Sequence, residues 1–169
     1  DRMVVYRSDE RFIAVDELQP LTRMRTVYSA ITSSYDTNYA ANLSQEGKLN
    51  VLGVFDALQV GAVPAVHPRA TLVVRLKADQ EDAGIHALSF GWVGPGGDEI
   101  WSSSGEVEVG TPPPGAFELD IPVIASIDLP IQQPGTHTMR IELDGEVRSE
   151  LYLHVRLGTP APPAHGLVS

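Results

Sequence analysis

The chain has no cysteine, which excludes disulfides, thiolate metal sites and a cysteine nucleophile while leaving the redox compartment open. It has no uninterrupted apolar run of the ~18 residues that a membrane-spanning helix requires, and no basic segment leads into an apolar one near its start. Neither a membrane span nor an intact signal peptide is expected, so the sequence reads as a soluble protein whose compartment stays unassigned. Positive charge is scarce: 12 Lys and Arg against 22 Asp and Glu leave a net charge of −10 at pH 7. Without a cluster of cations such a chain repels phosphate backbones, and nucleic acid is not an expected partner. A sustained 3.6-residue apolar spacing is missing as well, which removes a helical architecture.

What is present is a globular composition, 43% hydrophobic and 20% charged over 169 residues, enough for one domain with short appendages. Residues 1–25 hold five acidic and five basic side chains, so the rest of the chain carries the entire −10. Within this stretch Met3-Val4-Val5-Tyr6 and Phe12-Ile13-Ala14-Val15 are short β-favouring runs separated by Arg7-Ser8-Asp9-Glu10, a connector of hairpin length. The segment reads as an N-terminal β-arm or hairpin, ended by Pro20. Asp1 is not an initiator methionine, so something is expected to have preceded it. Residues 26–157 form the domain, and 158–169, with Pro160, Pro162 and Pro163, read as an extended proline-rich tail.

Within the domain the pattern is strands and turns. Residues 48–60 carry apolar side chains on both parities, Val51, Phe55 and Ala57 against Leu52, Val54 and Leu58, which predicts a strand covered on both faces. In 70–78, Leu72, Val74 and Leu76 alternate against Val73, Arg75 and Lys77, a half-solvated strand. In 85–93, His86, Leu88, Phe90 and Trp92 share a side, and Gly94-Pro95-Gly96-Gly97-Asp98 turns the chain back into Glu99-Ile100-Trp101. Ser102-Ser103-Ser104-Gly105 reads as a polar turn, 104–109 as a short strand, and Pro112-Pro113-Pro114 as its closing loop, since proline supplies no ladder donor. Residues 116–128 are extended but broken at Pro122, which predicts an edge strand or a bulge. In 136–143, His137, Met139, Ile141 and Leu143 alternate with polar residues, Asp144-Gly145 supplies the positive-φ pair of a type I′ turn, and Leu151, Leu153 and Val155 return.

These signals predict an all-β fold, a two-sheet antiparallel β-sandwich of Ig-like or fibronectin-like architecture. Helix is limited to a turn at 79–82. The predicted core is Val51, Phe55, Leu72, Val74, Leu88, Phe90, Ile141, Leu143, Leu153 and Val155.

Four segments carry a resemblance. Residues 26–42, Gly47-Lys48-Leu49-Asn50-Val51-Leu52-Gly53-Val54-Phe55-Asp56, Pro64-Ala65-Val66-His67-Pro68, and Pro134-Gly135 through Leu143-Asp144-Gly145-Glu146 are together similar to a bacterial and phage family of small β-sandwich proteins of unknown function. The resemblance covers about residues 26–157 and implies a sandwich with a hairpin arm, a crossover at the His-Pro pair and a terminal hairpin. This sequence departs from the family in having Val63 where an aromatic is common. Met24 stands where such proteins often begin, which implies that 1–23 is an addition to the family pattern. The family has no assigned activity, so the resemblance implies no catalytic residue.

Chemistry-bearing residues are few. His86 and His137 fall on apolar parities that two strands could bring together, but no third ligand stands at a fixed spacing, and they read as histidines at the rim of the core. His67, held extended before Pro68, reads as the anchor of a crossover loop; His154 and His165 show no partner. No G-x-S-x-G elbow is present, and Gly94-Pro95-Gly96-Gly97 lacks the lysine and the following helix of a phosphate loop. The pairs Glu106/Glu108 and Glu118/Asp120 read as solvated side chains of an acidic protein. Asp79-Gln80-Glu81-Asp82 lacks the calcium-loop spacing and reads as a solvated acidic loop. Tyr35, Tyr39 and Trp101 could form an exposed stacking surface for a carbohydrate or peptide.

The expectation is a protein that is not an enzyme and binds no metal or cofactor. It would act by protein–protein contact as a structural or accessory subunit of an oligomer or larger assembly. The candidate contact residues are Val4, Val5, Tyr6, Phe12, Ile13 and Val15 of the arm, because an isolated two-stranded hairpin cannot bury such side chains. A ligand-binding module using Tyr35, Tyr39 and Trp101 is the alternative, and an uncharacterised hydrolase is third.

Overall fold

The computed structural model describes residues 24–33 and 41–158. The arm, Tyr35, Tyr39 and the proline-rich tail therefore lie outside the described residues. Ten strands follow one another: β1 (Arg25–Ser33), β2 (Ala41–Leu43), β3 (Leu49–Val51), β4 (Ala57–Val60), β5 (Ala65–Ala78), β6 (Gly84–Val93), β7 (Glu99–Val109), β8 (Leu119–Ile131), β9 (Gly135–Leu143) and β10 (Glu146–Leu157). A 3-10 turn at Gln80–Asp82 is the one helical element among the described residues. A three-stranded sheet in the order β1-β5-β8 packs on a five-stranded sheet in the order β4-β10-β9-β6-β7, and β2 with β3 forms a separate hairpin. The molecule is thus an all-β sandwich. Pairing is antiparallel except between β4 and β10, which run parallel.

The period-2 alternation explains how the layers close. Leu88, Phe90 and Trp92 of β6, Met139, Ile141 and Leu143 of β9, and Leu153 and Val155 of β10 point from one sheet into the core. Leu72, Val74 and Leu76 of β5 meet them from the other. The β9–β10 hairpin closes at Asp144-Gly145 with φ of 51° and 81°, the doubly positive pair of the tight turn. Trp92 donates its indole N–H to the Pro130 carbonyl at 2.8 Å, and Ser29 and Ser149 hydroxyls meet at 3.1 Å. β8 therefore lies above β6 at one flank, and β1 lies above β10 at the other.

Several expectations are corrected. Residues 48–60 are not one strand covered on both sides: Gly53 at φ 71° interrupts the run, and Leu52 and Val54 are 65% and 55% exposed. Val51 and Phe55 are half-buried, whereas the other eight predicted core residues are buried. The outer face of β5 is half-solvated only toward its end, where Arg75 and Lys77 are half-exposed. Val73, on the parity of Arg75 and Lys77, is fully buried. Residues 102–105 are not a turn but the middle of β7. The acidic segment at 79–82 is a capped turn: Asp82, 3% exposed, accepts the Asp79 N–H at 2.9 Å, and Asp79 accepts the Glu81 N–H. Pro122 does mark an edge strand, since β8 ends its sheet.

Candidate functional site

The two sheets are unequal, and the difference opens one side of the sandwich. Trp101, Ser103, Gly105, Val107 and Val109 of β7 stand opposite Trp92, Phe90, Leu88, His86 and Gly84 of β6, so they share the inward face. Ser103 and Gly105 are exposed all the same, because the three-stranded sheet stops at β8 and does not reach over them. A Cβ added at Gly105 would meet no atom within 4 Å. The resulting groove has a volume of about 490 Å³, with Leu88 and Phe90 as its floor and Ile121, Val123 and Val107 as its walls. A second depression of about 450 Å³ continues along β7 and β8, lined by Val66, Trp101, Ile127, Asp128 and Pro130. Glu106 and Asp128 are the charged members of this seam, and no described Lys or Arg lines it. That floor is nearly covered, Leu88 and Phe90 being 5% and 8% exposed, and it lies beside two sheet edges that pair with no further described strand; it is these edges that are suited to binding a chain segment.

Trp101 is the one member of the predicted aromatic surface among the described residues. It is half-buried, and its indole nitrogen is buried without a hydrogen-bond partner. The face it offers is apolar, and it belongs to the seam. Val4, Val5, Tyr6, Phe12, Ile13, Val15, Tyr35 and Tyr39 lie outside the described residues.

A wider cleft of about 900 Å³ lies between the outer face of the three-stranded sheet and the β2–β3 hairpin, with Tyr28, Lys48, Leu49, Arg75, Asp120 and Pro122 among its walls. Arg75 donates to both carboxylate oxygens of Asp120, at 2.8 and 2.6 Å, and holds that carboxyl below the usual range. Arg25 and Lys77 both pair with Glu118 and lower it likewise. The Glu118/Asp120 pair read as solvated is therefore engaged with cations of the neighbouring strands, a pairing that sequence spacing does not reveal.

The histidines occupy separate environments. β6 and β9 pair with Leu88 opposite Leu143 and Val93 opposite Thr138, so His86 and His137 stand at opposite ends of the sheet and do not come together. His86 Nδ1 lies 2.7 Å from Asp144 Oδ2, and Nε2 lies 2.6 Å from the Asp82 carbonyl. Burial opposes charge on this ring, but the bonds to Asp144 and to the Asp82 carbonyl outweigh it and raise its pKa. His137 is buried, stacked on Trp92 with ring centroids 5.1 Å apart, and burial lowers its pKa. His67 lies within β5 beside a register shift, not in a crossover loop. It meets Phe55 edge-on at 5.4 Å, and burial lowers its pKa too. His154, expected to have no partner, shares a 3.0 Å hydrogen bond with Thr136. Among the described residues no group of three or more His, Asp or Glu is placed to hold a metal ion, and no helix is long and apolar enough to cross a membrane.

The model of a family of unknown function, DUF6941, matches residues 38–156. The chain belongs to this family. The DUF6941 match begins upstream of β2 and runs into β10, so it takes in both edges of the seam and the floor between them. No curated protein matches the chain. Among solved structures the chain is similar to the alkylpurine DNA glycosylase AlkC of Pseudomonas fluorescens bound to DNA containing an abasic site analog, at 11% identity and a TM-score of 0.43 over 80% of this chain and 31% of that one. It is also similar to an immunoglobulin-like protein from Pseudomonas aeruginosa, at 12% identity and a TM-score of 0.33 over 82% of this chain and 100% of that one. The chain thus spans less than a third of the glycosylase. The sandwich is defined by this chain's own sheets and registers.

Proposed function

We propose that this domain acts by protein–protein contact and not by catalysis, as a structural or accessory subunit whose arm, the residues before Met24, docks on a neighbouring subunit. The observation that carries this reading is the open seam between β7 and β8. A sheet edge with unpaired main-chain groups is a template for strand addition, and here the edge adjoins an apolar floor. The arm supplies apolar runs in search of cover, Met3-Val4-Val5-Tyr6 and Phe12-Ile13-Ala14-Val15, each large side chain worth ~1.5–3 kcal/mol when buried.

Sedimentation of the intact chain and of a chain starting at Met24 tests the reading. Met24 is buried in the core, so the shorter chain keeps the full sandwich. The intact chain is expected to assemble and the shorter one to remain a folded monomer. An intact chain that stays monomeric over the whole concentration range contradicts the reading and favours a carbohydrate- or peptide-binding module built around Trp101.

A further inference from the structure

The seam has a shape that selects its occupant. The three-stranded sheet lies one strand short of covering the inward face of β7, so a strand added at the free edge of β8 would sit over Ser103 and Gly105. These are the two positions where β7 presents little bulk. Proline is tolerated in a ladder where its missing N–H would point away from the neighbouring strand, so Pro122 marks the parity of β8 whose main chain faces the open side. Ile124 and Ser126 share that parity, between Pro122 and Pro130. The two prolines frame eight residue steps, ~26 Å of strand, with free main-chain groups in the middle and none of proline's missing donors there.

Charge narrows the choice of occupant. The lining holds Glu106 and Asp128 without a described cation, and the domain carries the entire net charge of −10. In the neutral arm, Met3-Val4-Val5-Tyr6 is bounded on both sides by arginine, Arg2 and Arg7. This run can place alternate apolar side chains on the Leu88/Phe90 floor while its cations meet the carboxylates at the rim.

We infer that the seam between β7 and β8 receives residues 3–6 of a second copy of this chain as a fourth strand of the β1-β5-β8 sheet. The inference rests on the assembly reading above and names its receiving site. A second copy is the occupant we assign because β1, into which the arm leads, lies at the edge of its sheet opposite to the free edge of β8. Arg25 lies opposite Lys77, and Lys77 opposite Asp120, so the arm leaves at the end where β7 finishes and β8 starts. There the connection at 110–118 joins the two strands. The other end of the seam lies beside Trp101 and Pro130.

The test uses the full chain in three forms: Ser103→Phe, which fills the groove from its inward face; Ser102→Phe, on the opposite, exposed face of β7; and Val5→Asp in the arm. Light scattering follows assembly, and thermal melting checks that each variant folds. Ser103→Phe and Val5→Asp are expected to weaken assembly about tenfold or more, the cost of about one buried apolar contact, whereas Ser102→Phe assembles like the parent. Mixing Ser103→Phe with Val5→Asp is expected to give a one-to-one complex, because one partner keeps an intact arm and the other an intact seam. If Val5→Asp blocks assembly while Ser103→Phe does not, the assembly reading stands and the seam is the wrong receiver. If both block it and the mixture still fails to pair, the contact is not arm into seam, and the inference is overturned. If the parent itself is monomeric, the assembly reading falls with it.

Discussion

Replacing Leu153 by alanine sets the architecture against a number. Leu153 is fully buried on β10, opposite His137 of β9 in register, and it forms part of the core between the sheets. The substitution removes three carbon groups, a transfer loss of ~2.4 kcal/mol at about 0.8 kcal/mol each. Pairing of β10 on both edges, with β9 and with β4, limits collapse into the space, so a cavity term adds to that loss and the total falls at about 2–5 kcal/mol. Leu52→Ala is the matched control, the same chemistry at a position 65% exposed, and it should change stability by less than about 0.5 kcal/mol. Urea denaturation measures both. The expected result is a lowered midpoint for Leu153→Ala with an unchanged slope, and a parent-like curve for Leu52→Ala. Equal losses at the two sites would refute the assignment of inward and outward faces.

Two further perturbations probe local devices. His86→Gln should cost more stability at about pH 6 than at about pH 8: the folded ring has a raised pKa, so its contribution is complete below the ordinary unfolded value of about 6.5 and is lost as pH rises through the folded value; denaturation midpoints at the two pH values measure this, and a pH-independent cost rules out the charged His86–Asp144 pair. Gly135→Ala should destabilise by about 1–3 kcal/mol or more, because Gly135 has φ of 130° and an added Cβ would lie 2.8 Å from Pro95 Cγ; a thermal midpoint equal to the parent's would show that the Gly94–Asp98 turn yields freely.

The β9–β10 hairpin was legible because each local signal agreed: alternation over 136–143, then Asp-Gly, then alternation again. β6 was legible for the same reason. The seam was hidden because alternation tells which residues share a face and not how far the opposite sheet extends. Ser103 and Gly105, a small hydroxyl residue and a glycine, stand at inward positions, a pattern that resembles a turn unless the missing strand above them is known. The run at 48–60 failed for a related cause: Gly53 takes a left-handed φ that periodicity does not register, and the strand breaks there. Arg75 and Lys77 pointed to a solvated face of β5, yet their partners Asp120 of β8 and Glu118 just before it are brought beside them by long-range register. His86 and His137 had the right parity, and only the antiparallel register of β6 and β9 shows that they stand at opposite ends.

In the proposed assembly the arm of one chain completes the sandwich of another. Hydrogen–deuterium exchange on the intact chain over a concentration series tests it most directly, with the segments holding residues 3–6 and residues 123–127 as reporters. Slow exchange is expected in both segments at high concentration, with a joint loss of protection on dilution, while the core strand β9 exchanges slowly throughout. Protection of residues 3–6 that does not change with concentration, or fast exchange in both segments at every concentration, would contradict it.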